Sequence, residues 1–327
     1  MRTITFNMSS QALSNGIAPS TLELPYPDRP EIITANLLKL NNEISDLRVS
    51  LIFKSLITHL HQFISETSIT TEEWMKTIEY LTRVGQTCTP LRQEFILLSD
   101  ILGASALVDA LNNPPISGAT DSSVLGPFFT DDAPDLAAGE SIASEGSGEY
   151  LYVEGHVRSI MGEAIPNALI DTWETDSHGN YDTQRADRDG PDCRGRLRTD
   201  KDGKYSFKAV VPVAYPIPGD GPVGDLLKVL GRHNMRPNHL HLKVQAPGYH
   251  TLVTALYPEG DLYLASDPVF GVKKSLIVKY EDINDEEKAK KHGFLRGGSF
   301  KVLKFDLILV TEVAHEAARA QMMKKVD

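Results

Sequence analysis

Two spacings of apolar residues divide the chain. After a Ser-, Pro- and Asn-rich arm over residues 1–28, Leu37, Leu40, Ile44, Leu47, Leu51 and Leu56 approximate one helical face over several turns from Pro30. Thr70-Thr71-Glu72-Glu73 has the form of a capping box. It predicts a second helix running to about residue 84 and stopping at Gly85. A third helix is predicted from Pro90, a residue suited to a first turn, to about residue 111, with Phe95, Leu97, Leu98 and Leu102 as its apolar positions. Asn112-Asn113-Pro114-Pro115 ends it. The first third is a small helical unit.

Beyond residue 115 the period shortens. Segments 151–157, 168–173, 203–211, 239–244, 251–256, 275–280 and 301–310 are rich in Val, Ile, Leu and Tyr and predict short strands. Turn dipeptides such as His178-Gly179, Asp202-Gly203, Pro247-Gly248 and Glu259-Gly260 stand between them. Many short strands with frequent turns indicate a β-sandwich or barrel, not a βαβ fold. Residues 312–325 predict a terminal helix. The fold expected is therefore mainly β, with a small all-α part in front.

Charge and cysteine content narrow the function. A formal charge of −11 and a pI near 5.4 exclude the basic footprint that nucleic-acid binding needs. No apolar run reaches the length of a transmembrane helix, so no membrane insertion is expected. The polar first 14 residues lack a signal-peptide apolar core, and the expected location is cytoplasmic. Cys88 and Cys193 lie far apart and offer neither a disulfide scaffold nor a four-thiolate zinc site.

The segment Arg236-Pro237-Asn238-His239-Leu240-His241 is where chemistry concentrates. Side chains on a strand alternate faces, so His239 and His241 point the same way and are able to share one metal. Taken alone, such a pair also describes two polar residues on the solvent face of a strand. Two tyrosines stand in unusual settings: Tyr181 in the loop Gly179-Asn180-Tyr181-Asp182-Thr183-Gln184, and Tyr215 in the proline-bracketed Ala214-Tyr215-Pro216-Ile217-Pro218. Each is able simply to pack, with its hydroxyl on water or backbone. The alternative is ligation as phenolate. A free phenol titrates near 10, so that alternative asks for a strongly Lewis-acidic hard cation, better ferric iron than Zn²⁺ or Mg²⁺. Such a donor set differs from the two-histidine, one-carboxylate ferrous triad.

The words Gly179-x-Tyr181-Asp182-x-Gln184, Tyr215-Pro216-Ile217-Pro218-x-Asp220-Gly221-Pro222-Val223-Gly224 and Arg232-His233-x-x-Arg236-Pro237-x-His239-x-His241 resemble the intradiol ring-cleavage dioxygenases in type, order and spacing. Ser123-Val124-Leu125-Gly126-Pro127-Phe128-Phe129 resembles the lead-in to that family's catalytic domain. The resemblance implies an N-terminal arm and helical dimerisation domain over 1–115, and a β-sandwich catalytic domain with a C-terminal helix over 116–327. It implies one Fe(3+) per chain held by Tyr181, Tyr215, His239 and His241, with a small aromatic diol and O₂ as reactants. Tyr215 would also serve in catalysis by helping to accept the substrate's proton. Arg236 would stabilise negative charge gathering on the ring. The product is a muconate-type acid containing both oxygen atoms. A homodimer through the N-terminal helices is implied, as is a lipid-like ligand at its interface.

The Tyr-Pro-Ile-Pro and Asp-Gly-Pro-Val-Gly words, with Asp267-Pro268-Val269-Phe270-Gly271-Val272-Lys273, resemble the hydroxyquinol-cleaving branch most closely. That likeness places Leu97, Asp100, Val124, Leu125, Gly126, Pro127, Ile217, Pro218 and Val269 around the substrate. Asp100 would accept a hydrogen bond from a third ring hydroxyl. The reaction expected is hydroxyquinol to maleylacetate, with catechol to cis,cis-muconate as the alternative. One position departs from the pattern: Ala255 stands where bacterial catechol enzymes of the family usually have glutamine. An iron-free β-sandwich binding protein and a zinc hydrolase are the readings from other classes.

Overall fold

The structure, a computed structural model of one chain, describes residues 17, 20–89, 92–144, 148–185, 189–294 and 298–323. It divides into two compact units, residues 1–79 and 80–327.

In the first unit, α1 (Pro30–Asn41) packs on α2 (Leu47–Thr67). The continuous apolar face expected from residue 30 is broken between them. Asp46 accepts from the backbone N–H groups of Arg48 and Val49 at 2.8 and 3.0 Å, which starts a new helix. Buried Asn41 secures the corner by donating to the Ser50 carbonyl at 2.9 Å. α3 (Thr71–Thr87) begins at the expected capping box: Thr70 N–H donates to Glu73 at 2.9 Å and Glu73 N–H to Thr70 Oγ1 at 3.2 Å. It passes through Gly85 without stopping. An interior glycine costs a helix only about 1 kcal/mol, and Val84 beside it is fully buried.

In the second unit the predicted third helix is two, α4 (Glu94–Ile101) and α5 (Ala104–Asn112). Gly103 between them has φ +73°, a left-handed conformation that ends a helix. Pro90, expected as its first residue, lies outside the described residues. Strands then follow: β1 (Tyr150–Ser159), β2 (Leu169–Trp173), β3 (Arg194–Arg198), β4 (Lys204–Val210) and the two-residue β5 (Tyr215–Pro216). α6 (Pro222–Val229) leads to β6 (Met235–Arg236), β7 (Leu240–Gln245), β8 (Leu252–Pro258), β9 (Ile277–Val278) and β10 (Glu281–Asn284). α7 (Glu286–Lys291), β11 (Ser299–Lys304), β12 (Leu307–Leu309) and α8 (Glu312–Met323) complete the order.

One sheet is built around β1, with β4 antiparallel to it, β11 and β12 parallel to it, and β10 beyond β11. The other runs β3-β2-β7-β8-β9. Their inward side chains, among them Leu151, Val153, Phe207, Ile170, Leu242 and Leu256, form one apolar core, the sandwich expected from the strand pattern. The strand predicted over 301–310 is broken into β11 and β12 at Phe305-Asp306. There the Phe305 carbonyl turns in to accept from Tyr205 Oη at 2.8 Å. A Cβ on Gly155 would stand 1.7 Å from that oxygen, so only glycine fits.

Candidate metal centre

His241 sits mid-sheet on β7, opposite Trp173 of β2 and Ala255 of β8. The Trp173 ring stacks on its imidazole at 4.6 Å and 6°. Thr172 Oγ1 donates to its carbonyl at 2.9 Å. The strand begins at Leu240, one residue later than predicted, but His239 keeps the expected direction: the two Nε2 atoms lie 3.1 Å apart. His239 Nδ1 is 2.8 Å from the Pro237 carbonyl. That bond makes Nδ1 the donor and leaves Nε2 with a free lone pair.

Tyr181 reaches the same point from a loop whose words now have physical reasons. Gly179 turns with φ +84°, and a Cβ on it would press on Tyr215 Cβ at 3.2 Å. Gln184 accepts from Tyr181 N–H at 2.9 Å and closes a tight turn over Asp182–Gln184. Buried Arg194 clamps Asp182 with two guanidinium nitrogens and reaches the Phe128 carbonyl at 3.0 Å. Phe128 in turn stacks on Tyr181 at 4.2 Å. Tyr181 Oη is thereby held 3.3 Å from His239 Nε2. Tyr215 arrives on the β5–β6 ribbon, paired with Arg236. Its ring meets that of Tyr181 edge-on at 5.3 Å.

Arg236 lies between these groups. Its Nη1 is 3.3 Å from His239 Nε2 and donates to Tyr215 Oη at 3.4 Å. Nε and Nη2 donate to the buried Asp267 carboxylate at 3.0 and 3.2 Å, and Nη2 also reaches Tyr257 Oη at 3.5 Å. Burial alone would lower the guanidinium's pKa, but Tyr215, Asp267 and Tyr257 outweigh it and hold Arg236 firmly protonated. Burial, then the neighbouring positive charge, pushes both imidazoles well below the usual histidine range, so they are neutral. Burial, then the neighbouring Tyr215, pushes the Tyr181 phenol well up, against the pull of the Arg236 guanidinium.

Among the described residues no group of three or more His, Cys, Asp or Glu side chains is placed to hold a metal. The donor atoms available to a metal at this point are those of the tyrosines and histidines. The spacing fits: atoms bound about 2.1 Å from one ion stand about 3 Å from each other, as the 3.1 and 3.3 Å separations do. Two neutral imidazoles and two phenols, with no carboxylate, suit a hard trivalent cation better than a divalent one.

Beside this cluster opens a cavity of about 350 Å³ lined in part by Tyr215 and Arg236. Of the residues expected around a substrate, Leu97, Asp100, Val124, Gly126, Pro127, Ile217, Pro218 and Val269 line it. Leu125 does not; its side chain is 39% exposed. Gly126, at φ +73°, comes so close to the cluster that a Cβ would stand 3.7 Å from His241 Nε2. Burial raises the pKa of the Asp100 carboxyl, against the pull of Ser105 and Arg236. Arg92, Gln93, Glu94, Phe128, Thr183 and Gln184 also line the cavity and were not anticipated. Phe128 and Gln184 stand inside the recognised words, but nothing in the local pattern marks Arg92 or Glu94 as more than helix-start charges.

Comparison with known proteins gives matches over nearly the whole chain. Residues 124–310 match the family described as "Dioxygenase", and 46–120 match "Catechol dioxygenase N terminus". An intradiol ring-cleavage dioxygenase of Aspergillus niger is 45% identical over 90% of this chain and 88% of its own. A hydroxyquinol 1,2-dioxygenase of a Rhizobium species is 45% identical over 80% of this chain and 88% of its own. The crystal structure of hydroxyquinol 1,2-dioxygenase from Pseudomonas putida superposes with a TM-score of 0.80 at 42% identity, covering 86% of this chain and 99% of that one.

Proposed function

The chain belongs to the intradiol ring-cleavage dioxygenases, and on that footing we propose that it opens hydroxyquinol to maleylacetate. The observation that carries the substrate choice is Asp100, a carboxyl buried in the cavity wall with no cation bonded to it among the described residues. A third ring hydroxyl would donate to it beside Ser105, an interaction that a plain catechol lacks.

The family works with non-haem iron. In our reading Tyr181, Tyr215, His239 and His241 hold one ferric ion per chain. When bound, ferric iron would draw electron density from a coordinated diol and expose a ring carbon to O₂. The protein's own groups then have separable tasks. Tyr215 Oη exchanges a proton with a diol hydroxyl, and Arg236 Nη1, which donates to that oxygen, stabilises negative charge gathering on the ring. Asp267 keeps that guanidinium aimed and charged. Leu97, Ile217, Pro218 and Val269 give the ring an apolar seat that sheds water.

The proposal includes a homodimer through the N-terminal helices. Leu51, Phe53, Leu56, Leu60, Phe63 and Trp74 are exposed in the single chain, an apolar surface that a second copy would cover. A lipid-like ligand at that interface would use the same side chains. Oxygen uptake with hydroxyquinol, catechol and protocatechuate side by side tests the reaction. Hydroxyquinol should give the highest kcat/KM, and a preference for catechol would move the chain to the alternative substrate.

A further inference from the structure

Arg92 and Glu94 join two parts of the cavity wall. α4 contributes Leu97 and Asp100 to the lining, and the segment between Tyr215 and α6 contributes Ile217 and Pro218. Arg92 Nε donates to Glu94 Oε2 at 2.8 Å, and its Nη1 donates to both oxygens of Asp220 at 2.9 and 3.1 Å. Glu94 opens α4 and is fully buried; its other oxygen accepts from Val223 N–H, in the first turn of α6, at 3.2 Å. Arg92 Nη2 has no hydrogen-bond partner among the described residues and lies close to Gly221. A Cβ on Gly221 would stand 2.6 Å from that nitrogen and 2.5 Å from Glu94 Oε1.

Beyond this, Arg232 just after α6 donates to the Ile101 carbonyl at 2.6 Å, and the rest of the contact is apolar, through Leu97, Ile101, Ile217, Val223 and Leu227 among others. Apolar contact is non-directional and permits small slides, whereas these charge-assisted hydrogen bonds fix a distance. Asp220 is exposed, so the latch has a weak outer leg and a strong buried one. We propose that Arg92 and Glu94 are positioning residues that fix the separation of the two wall segments and so limit the bulk of ring substituent the cavity admits. The proposal rests on the ring-diol reading of the cavity.

The readout is the ratio of kcat/KM for 4-methylcatechol to that for catechol, on iron-loaded enzyme. Gly221→Ala is a clean wedge, because φ −113° and ψ −177° suit alanine and only the contact with the latch changes. It should raise the ratio about tenfold, the order that one methyl group commands in an apolar pocket. Arg92→Met should raise it as much, Arg92→Lys and Asp220→Asn less, with the visible tyrosinate band kept in place. Arg92→Met strands a buried carboxylate, so if it does not fold, Gly221→Ala and Asp220→Asn decide. An unchanged ratio with both rates falling together would overturn the latch. Wild-type protein without colour or oxygen uptake would instead overturn the reading beneath it.

Discussion

The two sheets of the second unit use strands of the same kind under opposite conditions. β1 alternates between fully and partly buried residues over its whole length, the signature of one dry face and one wet face. In the other sheet β2, β7 and β8 are buried at nearly every position. Their buried residues include Asp171, Thr172, His241 and Thr254, and Arg194 lies buried on β3 beside them. Polar groups on a strand covered on both faces each cost free energy unless a partner satisfies them. In this sheet the partners are Arg196 for Asp171, the His241 carbonyl for Thr172, the Asp121 carbonyl for Thr254, Asp182 for Arg194 and His239 for His241. The burial that makes His239 and His241 expensive also keeps them neutral and ready as ligands.

Breaking the polar cluster that the second sheet's histidines share with the β5–β6 ribbon should therefore have the largest effect. Tyr215→Phe removes one donor oxygen and the proton acceptor together. Turnover should fall about a thousandfold and the visible band should bleach or shift; ordinary activity in this variant would remove Tyr215 from the ligand set. Next comes Arg236→Ala, expected to bind iron normally but to cleave the ring about a hundredfold more slowly, the scale for loss of one charge-stabilising donor. Iron content by elemental analysis separates that outcome from loss of metal, which would make Arg236 a structural support instead.

A smaller effect is expected at the cavity wall. Asp100→Asn should reduce kcat/KM for hydroxyquinol about tenfold more than for catechol. Equal losses on both substrates would leave Asp100 with a packing role only.

The smallest change sharpens the contrast between the sheets through stability alone. Glu174 follows β2 and is buried; one oxygen accepts from Val210 N–H at 3.1 Å and the other has no partner among the described residues. Burial raises its pKa well above the usual 4.5, with the Val210 N–H pulling the other way. The folded state thus holds a proton that the unfolded chain releases, and stability drains away as pH climbs above about 4.5. Glu174→Gln should be stabilising near neutral pH, with the gain shrinking toward acid in thermal melts taken across that range. Glu154→Gln on the alternating strand β1 should shift stability by no more than about 0.5 kcal/mol at any of these pH values.

How much was legible in the sequence follows from the same contrast. Strands announce themselves by their Val, Ile, Leu and Tyr content, and the segments around β1, β4 and β7 were placed to within a few residues. Breaks within regular patterns were missed. The helix entry at Asp46 and the left-handed Gly103 rest on single local residues that apolar spacing passes over, whereas the Phe305 carbonyl is turned in by Tyr205, a hundred residues away. The four candidate ligands were readable because three short words carry them, though the words alone do not show why they converge. That is the work of Arg194 on Asp182, of Gln184 on Tyr181 and of Asp267 on Arg236. Arg92 and Glu94 stayed invisible because their partners, Asp220 and Val223, lie more than a hundred residues away.

The central claim is that two tyrosines and two histidines hold one ferric ion, and the visible spectrum of the iron-loaded protein tests it most directly. Tyrosinate bound to ferric iron absorbs in the visible, so the protein should be red to burgundy, with one iron per chain and a band that moves when hydroxyquinol is added without oxygen. A protein that takes up iron yet stays colourless would contradict the account, because the metal would then lie away from Tyr181 and Tyr215.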